Sequence, residues 1–166
     1  MFSQASEYAL RALAELARRG PEGWMLTSDL AETLRVPVHY LAKVLQTLAR
    51  RGILESQRGR LGGFRLAHRP EEMTVYDVVY VLDDVHALES CVMGEETCSD
   101  ETACPLHSLW KNVRGQFVEV LRNTTLRDLA KYQDQRPLSG RFPALMPTNP
   151  ALQAPAQPRR RKQGAG

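Results

Sequence analysis

No apolar stretch in this 166-residue chain approaches the ~20 residues that a membrane-spanning helix needs. A cleavable leader is not expected, since Met1-Phe2-Ser3-Gln4 runs into an amphipathic pattern without a basic region and apolar core ahead of it. Cysteine is scarce: three residues, none outside positions 91–104. An odd number leaves at least one thiol out of any disulfide framework. The glycines at 59, 62 and 63 are not followed by Lys-Ser/Thr, which argues against a phosphate-binding nucleotide loop. The expected setting is therefore cytoplasmic and reducing, where clustered thiols usually mean metal or redox chemistry.

Charge is unevenly spread. Residues 1–70 carry a balance of +5, residues 71–135 one of −8, and residues 136–166 one of +6 with no acidic side chain, within a net charge of +3. The basic N-terminal part fits a polyanionic partner. Six of the ten prolines fall in the last 31 residues beside Arg159-Arg160-Arg161-Lys162, a composition unable to build a core, so 134–166 is expected to be a disordered basic tail.

Between Ser6 and Arg18, apolar residues at 9, 10, 13, 16 and 17 keep helical spacing, and Gly20-Pro21 ends the run. A second helix is expected from Thr27 as N-cap, burying Leu30, Ala31 and Leu34. Val36-Pro37 turns the chain into a third, with Pro37 in its first turn and Leu41, Val44, Leu45 and Leu48 on one face. His39, Tyr40 and Lys43 lie opposite that face, the pattern of a helix-turn-helix. Two short apolar runs then flank Arg58-Gly59-Arg60-Leu61-Gly62-Gly63, a β-hairpin in the position of a wing, with Gly62-Gly63 expected to supply positive φ. Thr74 and Asp77 form a capping-box pattern for a helix to about Leu82. Pro105 opens a long helix with an apolar stripe at 106, 109, 110, 113, 117, 120 and 121, and Thr125 with Asp128 starts a last short one. A long apolar stripe on so small a domain fits a symmetric dimer.

Cys91, Cys98, Cys104 and His107 lie within seventeen residues, and three thiolates plus an imidazole make a full ligand set for a soft metal. The loop from Glu95 to Glu101 between them holds four acids and no base. Metal or iron–sulfur ligation and a thiol redox switch are both open on these residues alone. Nucleophilic catalysis would need one activated thiol in a cleft rather than three on one loop, so neither an enzyme nor a small-molecule substrate is expected.

Read together, Glu7-Tyr8-Ala9-Leu10-Arg11-Ala12-Leu13, the helix-turn-helix, the wing Arg58-Gly59-Arg60-Leu61-Gly62-Gly63-Phe64, the cysteine loop and the long helix resemble the Rrf2 family of bacterial winged-helix regulators over about residues 1–133. The resemblance implies a homodimer on a palindromic double-stranded DNA operator, tuned by a cluster that senses redox state, nitric oxide or iron–sulfur status. The segment Cys104-Pro105-Leu106-His107-Ser108-Leu109-Trp110 looks most like the IscR type, which implies a 2Fe–2S cluster on Cys91, Cys98, Cys104 and His107. The spacing departs from that type: six residues separate Cys91 from Cys98, where the type has five. Glu7 falls where NsrR-type members place an acidic ligand to a 4Fe–4S cluster, which would make Glu7 of the partner subunit the alternative fourth ligand. By the same match Pro37, Val38, His39, Tyr40 and Lys43 face the major groove, and Arg58, Gly59 and Arg60 reach the minor groove or backbone.

The expected fold is mainly α with a small β-wing. A winged helix-turn-helix (1–70) precedes a connecting helix and ligand loop (71–104), then a dimerisation helix with a short terminal helix (105–133). The rival readings are a zinc- or thiol-based DNA-binding regulator and an electron-transfer or cluster-carrier protein, the last of which leaves the basic wing without a purpose.

Overall fold

Ser3 starts the first helix: its Oγ accepts the Ser6 N–H at 3.2 Å, satisfying an amide that has no partner inside the helix. The computed structural model describes residues 2–135 apart from 21–22, 60–61, 84–90, 92, 94–98 and 102. Arg60, Cys98 and the tail from position 136 lie outside the described residues. The described elements are α1 (Gln4–Arg19), α2 (Thr27–Leu34), α3 (Val38–Arg50), β1 (Leu54–Gln57), β2 (Gly63–Leu66), α4 (Val75–Leu82), α5 (His107–Asn123) and α6 (Leu126–Gln135). The fold is mainly helical with a two-stranded antiparallel wing. α6 runs two residues into the stretch that composition assigned to the tail.

α1 is the centre of the core. Ala9, Ala12, Leu13, Ala14, Leu16 and Ala17 are at most 1% exposed, and the alanines let neighbouring helices approach closely. All of these but Ala14 belong to one cluster, which also takes in Leu30 of α2, Leu41, Leu45 and Leu48 of α3, Phe64 and Leu66 of the wing, and Leu126 and Ala130 of α6. A smaller one joins Val75 and Val79 of α4 to Leu121 of α5, with Phe2 and Phe117 packed beside it at a ring separation of 6.0 Å. α5 is thus seated by its last turns. Most of its predicted stripe stays in the open, with Leu109 66%, Val113 50% and Val120 61% exposed.

The wing holds a feature that periodicity does not reveal. β1 and β2 pair in the register Leu54↔Leu66 to Gln57↔Gly63, and Met25 adds a one-residue bridge to Phe64. The Met25 N–H donates to the Phe64 carbonyl at 3.0 Å, and the Phe64 N–H returns to the Met25 carbonyl at 2.9 Å. This bridge moves one expected detail. α2 is capped at Leu26 rather than Thr27: the Leu26 carbonyl accepts the Leu30 N–H at 3.1 Å, because the chain turns into the helix directly after the pinned Met25. The positive φ falls at Gly63 (126°) and Gly59 (107°) rather than at Gly62. A Cβ on Gly63 would overlap the Met25 carbonyl.

Pro37 is the N-cap of α3 rather than part of its first turn, and its carbonyl accepts the Leu41 N–H at 3.0 Å. Likewise Pro105 lies in a turn and α5 begins at His107. The expected capping box at Thr74 forms, and the helix start expected at Thr125 and Asp128 is a second one. Asp77 N–H donates to Thr74 Oγ1 and Asp128 N–H to Thr125 Oγ1, each at 3.2 Å, with each carboxylate accepting the threonine N–H in return. The Thr125 hydroxyl, which donates to Asp128 Oδ2 at 2.6 Å, and then the Thr125 N–H hold the Asp128 carboxyl below its ordinary value. The boxes face each other across a Thr74↔Thr125 bridge, flanked by Val75 N–H to Thr124 O and Leu126 N–H to Met73 O, both 2.9 Å.

Gly63→Ala is expected to cost about 2 kcal/mol or more, since it adds a clash with backbone to an unfavourable φ. Gly59→Ala, with nothing within 4 Å of the added carbon, should lose only about 1 kcal/mol through φ alone. Urea unfolding of the two variants checks the order, and equal midpoints would show that the Met25 bridge tolerates displacement.

Candidate nucleic-acid interface and metal-ligand loop

The core face of α3 decides what its other face can offer. With Leu41, Val44, Leu45 and Leu48 buried, positions 39, 43, 46 and 50 point outward on one stripe. His39 and Lys43 are exposed there, and Pro37 and Val38 are exposed at the N-terminal end. Gln46 and Arg50 continue the stripe and were not singled out from sequence, although the i+3 and i+4 steps from Lys43 lead to them. Tyr40 differs from its neighbours. It is half-buried and stands edge-on to Tyr8 of α1, rings 5.6 Å apart at 90°, while the Tyr8 hydroxyl accepts from Gln4 Nε2 at 3.1 Å. Burial raises the Tyr40 phenol above its ordinary value.

Before α3 the chain turns on Arg35, in the left-handed region at φ 55°. The Val36 N–H donates back to the Ala31 carbonyl at 3.0 Å, closing α2 so that Pro37 can open α3. At the wing Arg58 and Gly59 are exposed beside the hairpin tip. Arg65, on β2, is committed within the protein: its guanidinium meets Glu55 at 2.7 Å and lies 4.8 Å from the centre of the Trp24 ring.

The ligand loop joins α4 to α5. Cys91 and Cys104 are half-buried and neither is in a disulfide. The His107 N–H donates to the Cys104 carbonyl at 2.9 Å, which fixes these two residues one turn apart at the start of α5. The imidazole is 6% exposed, and its Nε2 is 2.8 Å from Asp100 Oδ1. Lys111 Nζ holds the same carboxylate at 2.8 and 2.7 Å, and hydrogen bonds from Lys111 and then His107 keep the Asp100 carboxyl below its usual range. Among the described residues no three His, Cys, Asp or Glu side chains gather as a metal site, and Cys98 lies outside them. The fit to a metal therefore rests on donor chemistry: two half-buried thiols and a buried, oriented imidazole suit iron or zinc. Glu7 is half-buried in the first turn of α1, on a different element from the loop.

Comparison with known proteins places these features in a lineage. The Rrf2 model, described as iron-dependent transcriptional regulator, matches residues 2–132. The HTH-type transcriptional regulator CymR of Bacillus subtilis (strain 168) is 33% identical over 132 residues, covering 80% of this chain and 91% of that protein. NsrR of Shouchella clausii (strain KSM-K16) is 32% identical over 130 residues, covering 78% and 87%. Among solved structures, CymR, described as the global cysteine regulator of B. subtilis, superposes with a TM-score of 0.68 at 31% identity, covering 80% of this chain and 97% of that one. IscR of T. potens superposes with a TM-score of 0.66 at 25% identity, covering 84% and 92%.

The packing of Tyr40 separates a structural role from a recognition role. Tyr40→Phe is expected to keep wild-type stability, whereas Tyr40→Ala should cost about 2 kcal/mol through lost ring packing. Thermal unfolding of both variants checks this, and a Tyr40→Ala protein as stable as wild type would release the side chain for DNA alone.

Proposed function

The chain belongs to the Rrf2 family of transcriptional regulators, and on that premise we propose that it acts as a homodimer whose operator binding is tuned by an iron–sulfur cluster. The chain is a DNA-binding transcriptional regulator, and the relatives it matches are regulators as well. No described helix is long and apolar enough to cross a membrane.

In the proposed complex α3 enters the major groove with Pro37, Val38 and His39 toward base edges and Lys43 on base or phosphate, while Tyr40 sets the helix against α1. Arg58, Gly59 and Arg60 take the adjacent backbone or minor groove. Leu109, Val113 and Val120 on α5 form the surface onto which a second copy would pack.

Cys91, Cys98, Cys104 and His107 are the proposed ligands, with Glu7 of the partner subunit as the alternative to His107. The observation that carries the reading is the pairing of Cys104 with a buried His107 one turn apart, at the start of a helix whose last turns pack on α4. When bound, a 2Fe–2S centre there supplies a redox- and nitric-oxide-sensitive link between the loop and α5; a 4Fe–4S centre would suit the Glu7 variant. The ligand residues then hold the start of α5 relative to α4, and through the dimer set the distance between two recognition helices. Palindromic half-sites sit about one helical turn, ~34–36 Å, apart, so a small change of angle alters the fit. A thiol-based regulator without iron is the second reading, favoured by the CymR relatives and by Cys91 and Cys104 standing outside any disulfide.

Anaerobically reconstituted protein should be brown, with iron and sulfide in stoichiometric amounts. Cys91→Ala, Cys98→Ala and Cys104→Ala should each abolish them and leave a folded dimer. His107→Ala should weaken the cluster less, and loss on changing Glu7 alone would transfer the fourth ligand to the partner's helix. Colourless wild-type protein would favour the thiol-based reading.

On DNA, Arg58→Ala should weaken operator and random sequence alike and reduce the salt slope by about one, as expected for one lost phosphate contact. His39→Ala should instead change preference among operator variants by about 1–3 kcal/mol per lost base contact. Filter binding at several salt concentrations checks both, and equal losses on every sequence for both variants would contradict this division.

A further inference from the structure

We propose that Asp100 is a positioning residue for His107: it takes the Nε2 proton and so presents Nδ1 as the nitrogen that faces a metal. This rests on the reading of His107 as a ligand. Asp100 Oδ1 stands 2.8 Å from Nε2, and an ionised carboxylate only accepts, so the proton between them belongs to the ring. In the neutral imidazole the lone pair is then on Nδ1. The ring has little freedom, being 6% exposed, and the backbone N–H of the residue is tied to the Cys104 carbonyl.

Asp100 is 73% exposed and would not keep one orientation unaided. Lys111 supplies the missing restraint by contacting both oxygens, at 2.8 and 2.7 Å. Four residues separate His107 from Lys111, so one face of α5 offers both an imidazole and an ammonium, and Asp100 bridges them from the loop. A surface ion pair of this kind adds little stability, so its worth lies in orientation. A carboxylate behind a ligating imidazole strengthens donation to the metal, and losing such a partner typically weakens a site 10- to 100-fold.

Asp100→Ala in the full chain tests the assignment at two levels. In the apo protein, long-range proton–nitrogen spectra of the histidines, with His107→Gln identifying the resonance, should show a slowly exchanging Nε2–H in wild type that is lost in Asp100→Ala. The melting curve should stay unchanged, because Asp100 is exposed. After anaerobic reconstitution, Asp100→Ala should shorten the cluster half-life in the presence of a chelator about 10-fold and raise the reduction potential, since weaker donation stabilises ferric iron less. A purely structural Asp100 would leave the potential where it was. A His107 protonated on Nδ1 in wild type, or a variant with wild-type half-life and potential, would overturn the positioning role while the cluster reading stands. A wild-type chain that takes up no iron or sulfide would overturn both.

Discussion

Everything in this molecule leans on α1. Its alanines at 9, 12, 14 and 17 bring backbones close where larger side chains would hold them apart, and Leu13 and Leu16 fill the volume between. The helix meets α3 through Tyr8 and Tyr40, reaches the end of α4 through the Ser3 N–H on Asp83 Oδ2 at 3.1 Å, and binds α6 through Arg18 on Asp134 at 2.7 Å. The DNA-facing module and the C-terminal helices share this one helix as a common wall. Their relative placement follows from its small side chains.

Against this block, α5 is held in different ways at its two ends. Its far end is held by Leu121 and Phe117 against α4 and Phe2, and by the Thr124 and Leu126 backbone bonds to the start of α4. Its near end is tied to the loop by the Cys104 carbonyl and by the Asp100 carboxylate, both local contacts. A helix anchored at one end turns a small event at the other into a change of direction. That is the geometry a regulator needs if ligand chemistry is to alter the spacing of two DNA-reading surfaces.

What could be read from sequence was local. The stripe of α3, the Thr74-x-x-Asp77 capping box, the helix start at Thr125 and the hairpin around Arg58 each depend on residues within a few positions of one another, and each stands where expected. Contacts across long separations left no such mark. Met25 pairs with Phe64 as a single residue, too short to show alternation, and that hidden bridge displaced the α2 cap. Tyr40 lies next to the apolar face of α3, where a one-residue step of 100° separates an outward ring from a half-buried one. The candidate donors stand out by type and spacing alone, and of them Cys98 lies outside the described residues. The burial of His107 was not legible, since the residues that cover an imidazole need not be its neighbours in sequence.

The Met25–Phe64 pairing also sets the unit in which this wing can be transplanted. A hairpin cut out as one continuous segment would leave its third pairing partner behind, on the far side of two helices. Residues 24–26 and 63–66 therefore form a discontinuous cassette. A chimera that exchanges wings between relatives should carry both pieces, and drift in one piece constrains what the other will accept.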